Sequence, residues 1–188
     1  LKIIDNQIKQ IENLVNEFSD FARMPKPILQ NNDLIKILNE NIKLLSEIDK
    51  SIEISLIKSN EKIIFNCDKE QLSRVFLNLI KNSIESIQQK TENMPNFKKK
   101  LSIEILLKND HIKFILEDNG IGFGKFKNNI KDILNPYFTT KKNGTGLGLS
   151  IVNKIINDHN GELNFLSIPN GAKVEILFKL DGNRNLNS

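Results

Sequence analysis

The chain has 188 residues, with 27 Lys and Arg against 23 Asp and Glu, a formal net charge of +4. That length accommodates one full core and a smaller appendage, and so mild and scattered a charge argues against nucleic acid as a partner, the run Lys98-Lys99-Lys100 reading as a solvated loop. The lone Cys67 excludes an internal disulfide and a multi-cysteine metal site and suits a reducing compartment, and no apolar run reaches the length of a membrane span.

The chain opens on Leu1 inside a helical pattern and reads as a piece of something longer. Ile4, Ile8, Ile11, Val15, Phe18 and Ala22 recur at alternating spacings of four and three, a heptad-like seam on a helix of about six turns. Met24-Pro25-Lys26-Pro27 ends that helix, because proline lacks an N–H and restrains the residue before it, and leaves a stiff linker that separates the helix from the rest. A helix with this stripe cannot bury it alone and requires partner helices. Asp33 is placed to cap a second helix, with Leu34, Ile37, Leu38, Leu45 and Ile48 on its apolar side. Short strands are expected over residues 52–57 and 62–67, followed by a long helix capped by Asp68 and reaching about Gln89, and by a polar loop over residues 90–100. Residues 101–108 and 111–118 make a hairpin through Asn109-Asp110. Residues 120–143 hold no sustained period and read as a long loop. A helix entered through the glycines at 144–148 runs to about Asn160, with Gly161 as its C-terminal cap. Residues 162–167 and 172–180 form a second hairpin, and residues 181–188 a polar tail. Helices and mainly antiparallel strands in this order specify an α/β two-layer sandwich, preceded by a coiled-coil-like helix.

Three stretches carry chemistry. In Gly144-Thr145-Gly146-Leu147-Gly148-Leu149, alternate glycines let the backbone approach a ligand, and the helix that follows presents unpaired N–H groups at its positive end, as a phosphate cradle does. The spacing is neither that of the dinucleotide fingerprint nor that of the P-loop. On the long helix, Gln71, Arg74, Asn78, Asn82, Glu85 and Gln89 share one stripe, with Leu72, Phe76, Leu79, Ser83 and Ile87 opposite. Two Asn one turn apart in mid-helix are unusual for a merely solvated face, because Asn competes with the helix backbone, and a carboxamide oxygen is a fitting ligand for Mg²⁺. Along the strand, Ile112, Phe114, Leu116 and Asp118 point to one face, so Asp118 continues an apolar row and needs a partner. Asp118-Asn119-Gly120 alone suits a hairpin turn; with Gly122 and a long loop after it, a carboxylate facing a cleft can accept from an exocyclic amine such as adenine N6.

Asn78 to Asn82, Asp118-Asn119-Gly120-Ile121-Gly122, Pro136-Tyr137-Phe138-Thr139-Thr140-Lys141 and Gly144 to Leu149 resemble, in order, the N box, first glycine box, F box and second glycine box of sensor histidine kinases. The resemblance covers residues from about 30 to 180 and implies the Bergerat ATP-binding fold of the gyrase, Hsp90, histidine kinase and MutL superfamily. The segment from Asn16 to Pro27 is similar to the second dimerisation helix of nitrogen-regulation kinases of the NtrY type. The division implied is residues 1–27 as that helix with its linker, 28–182 as the ATP-binding catalytic domain and 183–188 as a tail. Residue by residue, Asn82 is implied as the Mg²⁺ ligand, with Asn78 one turn before it. Asp118 reads adenine over a floor shaped by Gly120 and Gly122, Tyr137 and Thr140 belong to the F box, and Lys141 reaches the phosphates. Gly144, Thr145, Gly146, Leu147 and Gly148 wrap the triphosphate. Many family members carry Lys or Arg where Glu85 stands, which leaves that residue between a phosphate contact and a role toward Mg²⁺-bound water or the helix surface.

The activity implied is transfer of the ATP γ-phosphate to a His on a dimerisation helix absent from this chain, for relay to an Asp of a response regulator receiver domain. The intact kinase would be a homodimer through the N-terminal helix, with this part on the cytoplasmic side of a parent anchored in the inner membrane. Two alternatives are an ATP hydrolase of the same superfamily and a non-catalytic nucleotide-binding regulatory module. The hydrolases carry a water-activating Glu four residues before the Mg²⁺ Asn, and Asn78 at that position cannot act as a base. His111, at a strand start, and His159, at a helix end where a cation suits the dipole, both read as structural rather than as phosphoacceptors.

Overall fold

The computed structural model describes residues 4, 8, 11, 12, 15, 16, 18, 19, 22–124, 130–139, 141 and 144–180. Among these the elements run β1 (Gln30–Asp33), α1 (Leu34–Ser46), β2 (Glu53–Lys58), β3 (Ile64–Cys67), α2 (Lys69–Asn93), β4 (Lys100–Leu107), β5 (His111–Asp118), α3 (Gly148–Asp158), β6 (Gly161–Ile168) and β7 (Gly171–Lys179). A 3-10 turn, Ile130–Leu134, lies between β5 and α3.

Strict alternation makes the sheet one-sided. Leu101, Ile103 and Ile105 of β4, Ile112, Phe114 and Leu116 of β5, and Val174, Ile176 and Phe178 of β7 are buried, while the residues between them stay partly or fully open to solvent. The register aligns these rows: Leu116 stands opposite Ile103 on one side and Val174 on the other. Five strands in the order β2-β4-β5-β7-β6 result, antiparallel except for β2, which runs parallel to β4. α2 and α3 cover the apolar face and α1 packs against α2, giving the expected two-layer sandwich, while β1 and β3 form a separate antiparallel pair. The Phe76 and Phe114 rings, 5.1 Å apart, join α2 to the central strand β5.

The caps follow the sequence with two exceptions. Asp33 Oδ1 accepts from Ile35 N at 3.0 Å, and Asp68 Oδ1 accepts from Gln71 N at 3.1 Å, so both expected N-caps form. Ile48 lies beyond α1 and is exposed, because Ser46 ends the helix two residues earlier. At the end of α3 it is Asn160, at φ 55°, that takes the left-handed position assigned to Gly161. Gly161 instead begins β6, where a Cβ would meet Ile156 and Phe178 at 2.9 Å. The long helix outruns its expected end and absorbs Lys90 to Asn93 from the segment read as loop.

Further differences lie around the linker. Gln71, placed on the polar stripe, is buried, and its Nε2 donates to Pro25 O at 3.1 Å. Ile28 N donates to Asp68 Oδ2 at 2.9 Å, so the linker is stitched to the start of α2 rather than standing off. His159 is buried, with Nδ1 2.8 Å from Ile155 O and Nε2 accepting from Asp68 N at 3.0 Å. This pairing requires the neutral ring with its proton on Nδ1, and with both nitrogens engaged the histidine has the structural role expected of it. The described residues of the N-terminal seam, Ile4, Ile8, Ile11, Val15 and Phe18, are helical and exposed. No helix among the described residues is long and apolar enough to cross a membrane.

Asp68 thus caps α2 with one carboxylate oxygen and holds the linker with the other. Asp68→Ala should lower stability by about 1–2 kcal/mol in urea unfolding, the upper end reflecting loss of both contacts.

Candidate functional site

α2 supplies one wall. Capped by Asp68 and held to the sheet by Leu72, Phe76, Leu79 and Ile80, it turns Asn78, Asn82 and Glu85 away from the core and Ser83 and Ser86 toward the end of β5. Asn78 Nδ2 donates to Arg74 O at 2.9 Å, one turn back, and its Oδ1 lies 3.0 Å from where a Cβ on Gly148 would stand. Asn82 Oδ1 accepts from Lys141 Nζ at 2.7 Å. Glu85 pairs with the same ammonium and, at 4.0 Å, with Lys81.

Asp118 supplies the second feature. It ends the central strand on the buried face and is only 4% exposed. Ser83 Oγ donates to its Oδ2 at 3.1 Å, Ser86 Oγ lies 3.4 Å from Oδ1, and Gly120 N donates to Oδ1 at 2.9 Å. Burial pushes the carboxyl pKa above its ordinary value, and the donors at Gly120, Ser83, Ser86 and Ala172 oppose that rise without cancelling it. By period alone Ser83 falls on the apolar side of the helix. A serine within that stripe, facing a strand row that ends in Asp, was the signal available for this pairing.

The turn after Asp118 presses on α2. A Cβ on Gly120 would stand 2.2 Å from Ser86 Oγ and 2.7 Å from Ile87 N, so only glycine fits. Ile121 N donates to Ser86 Oγ, and Lys90 Nζ donates to Asn119 O at 2.6 Å. Gly122, at φ 68°, abuts the β6–β7 turn, where a Cβ would meet Gly171 O at 2.5 Å. A cleft of about 340 Å³ opens beside this turn, lined by Lys90, Gly120, Ile121, Phe123 and Ile168 among others. Neither Gly171 nor Lys90 was singled out from the sequence, since each acts only by lying beside the turn.

The glycine loop closes the far end. Gly144 N donates to Lys141 O at 3.2 Å, and Gly146 lies against the Tyr137–Phe138 peptide, where a Cβ would be 2.4 Å from Tyr137 C. Leu147 is fully buried and anchors the start of α3, Thr145 Oγ1 lies 3.4 Å from Leu147 N, and the helix has no side-chain cap. Tyr137 is exposed and stacks against Phe18 of the N-terminal helix, ring centroids 6.4 Å apart. Thr140 lies outside the described residues. The structure therefore gathers Asn78, Asn82, Glu85, Lys141 and Gly148 at one face of α2, and Asp118, Gly120 and Gly122 against the next turns of the same helix.

Comparison with known proteins bears on the family and the fold. Residues 67–182 match the family described as histidine kinase-, DNA gyrase B-, and HSP90-like ATPase. An NtrY-like sensor histidine kinase of Rickettsia bellii is 31% identical over 182 residues, 96% of this chain and 28% of that protein, so the chain spans less than a third of that relative. The catalytic domain of histidine kinase ThkA superposes with a TM-score of 0.68 at 24% identity, over 80% of this chain and 95% of that one. ThkA in complex with the response regulator protein TrrA superposes with a TM-score of 0.75 at 21% identity, over 97% of this chain and 51% of that chain. At such identities the two likenesses are of fold, and the fold is that of the histidine kinase ATPase domain.

Because the folded Asp118 carboxyl titrates above its unfolded value, the native chain holds the extra proton in the window above pH 3.8, and stability falls as pH rises through it. Asp118→Asn removes that titration. Urea midpoints across pH should show wild type losing stability relative to Asp118→Asn as pH rises, the two curves running parallel below the window. Gly120→Ala should cost about 1–3 kcal/mol by overpacking against α2, read in the same denaturation.

Proposed function

The chain belongs to the histidine kinase-, DNA gyrase B- and HSP90-like ATPase family, and from that premise we propose that it forms the ATP-binding catalytic part of an NtrY-like sensor histidine kinase. In this reading it transfers the ATP γ-phosphate to a His on a dimerisation helix outside this chain, for relay to an Asp of a response regulator receiver domain. One observation carries the choice of transfer over hydrolysis. The position one turn before Asn82 is Asn78, whose amide is spent on its own helix, so no carboxylate is placed there to activate water.

Asp118 would accept from the adenine amine through the carboxylate that Ser83, Ser86 and Gly120 orient. Gly120 and Gly122 keep the floor of that pocket at backbone height. Asn82 would hold Mg²⁺, and the fit is supported by its carboxamide oxygen already accepting from a cation, the Lys141 ammonium. Mg²⁺ supplies neutralisation of the phosphate charge that grows during transfer. Lys141 and the loop Gly144, Thr145, Gly146, Leu147 and Gly148 would hold the phosphates against the uncapped start of α3, with Tyr137 and Thr140 in the segment that covers them.

Residues 1–27 serve as the second dimerisation helix with its linker, 28–182 as the catalytic domain and 183–188 as a tail. The exposed seam from Ile4 to Phe18 would make the homodimer of the intact kinase, because an apolar stripe of this kind gains by burial against partner helices. The domain would work on the cytoplasmic side of its parent. Neither histidine suits the acceptor role: His159 has both ring nitrogens engaged and is buried, and His111 is bound to Asp110 at 2.7 Å.

Calorimetry should find Mg–ATP binding in wild type, weakened by about 1–3 kcal/mol in Asp118→Ala, where the adenine amine is left unpaired. Unchanged affinity would place the base elsewhere. The chain alone should neither label itself nor turn over ATP quickly. Adding the missing first helix, in cis or as a separate polypeptide, should restore acid-labile phosphorylation of its His. Labelling of His111 or His159, or fast ATP turnover abolished by Glu85→Ala, would contradict the assignment.

A further inference from the structure

On α2, Asn82 and Glu85 stand three residues apart and so share one helix face. Their oxygens converge on a single cation. Asn82 Oδ1 accepts from Lys141 Nζ at 2.7 Å, and Glu85 Oε2 forms an ion pair with the same ammonium. The other carboxylate oxygen of Glu85 faces Lys81 at 4.0 Å, a longer and more exposed pair. Lys141 lies 59 and 56 residues from these partners in the chain, on the segment that enters the glycine loop, so the contact is tertiary and joins that segment to the helix.

We propose that Asn82 and Glu85 together form one cation seat on α2, occupied by the ammonium of Lys141 until a divalent cation arriving with nucleotide displaces it. The inference rests on the nucleotide-binding reading above, and it adds a second protein ligand, Glu85, and a competition. A carboxamide oxygen and a carboxylate are the hard donors Mg²⁺ prefers, and Mg²⁺ takes few protein ligands because phosphates and waters complete its shell. An ammonium meets the same oxygens as a point charge with three donors. The Lys141 and Glu85 side chains are 40% and 35% exposed, so the pair is open to solvent and exchangeable, as a resident that must leave has to be.

Displacement has a structural consequence. Lys141 N donates to Thr139 Oγ1, and Lys141 O accepts from Gly144 N, so the lysine is continuous with the backbone turn that begins the glycine loop. Moving its ammonium from Asn82 and Glu85 to an incoming phosphate would release the tertiary contact between Lys141 and α2. One exchange of cations thereby loads the metal and frees the lysine for the phosphates.

The test uses the whole chain and two probes. ADP affinity is measured by calorimetry with Mg²⁺ and in EDTA, and the ratio of the two is compared across variants. Glu85→Gln should shrink the ratio by about tenfold or more, as loss of a group supporting a metal does. Separately, Mn²⁺ bound without nucleotide is read by the loss of its free paramagnetic signal. Lys141→Met should bind Mn²⁺ several-fold more tightly than wild type, and adding Glu85→Gln should abolish that gain. A Glu85→Gln protein that retains the full Mg²⁺ ratio, or a Lys141→Met protein with no gain for Mn²⁺, overturns the cation seat. Wild type that binds ADP in neither buffer instead removes the nucleotide reading beneath it.

Discussion

A carboxylate set at the end of an apolar strand row is the constraint on which the rest of this structure depends. Asp118 occupies the central strand of five, on the face that α2 covers, and a buried charge there is tolerable only with donors close by. They include Ser83 Oγ and Ser86 Oγ from α2, Gly120 N from its own turn and the backbone of Ala172 on β7. Two serines on successive turns can meet one carboxylate in only one register of helix on sheet. The same contacts bring the backbone of Gly120 against Ser86 and Ile87, closer than any Cβ permits. Helix register, turn conformation and carboxylate orientation are thus one requirement.

α2 is also where the other half of the site is mounted. Its core side packs Leu72, Phe76, Leu79 and Ile80 under the sheet, and its outer side holds Asn78 and Asn82 beside the start of α3. A single rigid rod therefore sets the distance between the Asp118 pocket and the glycine loop. Its N-terminus is equally constrained. Asp68 caps the helix through one oxygen and receives Ile28 N on the other, while His159 accepts from Asp68 N and Gln71 holds Pro25 O. The linker is therefore attached to the element that carries the candidate site.

Chemistry divides between positions separated by single helical turns. Asn78 and Glu85 flank Asn82 on the same rod, yet Asn78 is turned back on Arg74 O while Glu85 is paired with Lys141 and, at 4.0 Å, with Lys81. Neither points a free carboxylate at a reacting water. On the proposed reading, such a site would hold and orient a triphosphate while the acceptor is supplied by a separate helix.

The sequence by itself determined every feature carried by local period or local chemistry. Alternation in β4, β5 and β7, the caps Asp33 and Asp68, the apolar row ending in Asp118 and the order of the glycine and asparagine motifs were all legible, because each is written within a few neighbouring residues. It misplaced what neighbours alone do not decide. Asn160 took the left-handed position because Gly161 was needed flat against Ile156 and Phe178. Ser83 left the apolar stripe in function though not in position, because its partner lies 35 residues away. Gln71 left the polar face for Pro25. The Lys141 contact with Asn82 and Glu85 likewise exists only once the glycine loop is laid over α2. Tertiary structure decided these because the donors and acceptors of a buried or half-buried polar group are chosen by packing, and packing joins residues whose separation along the chain leaves no local trace.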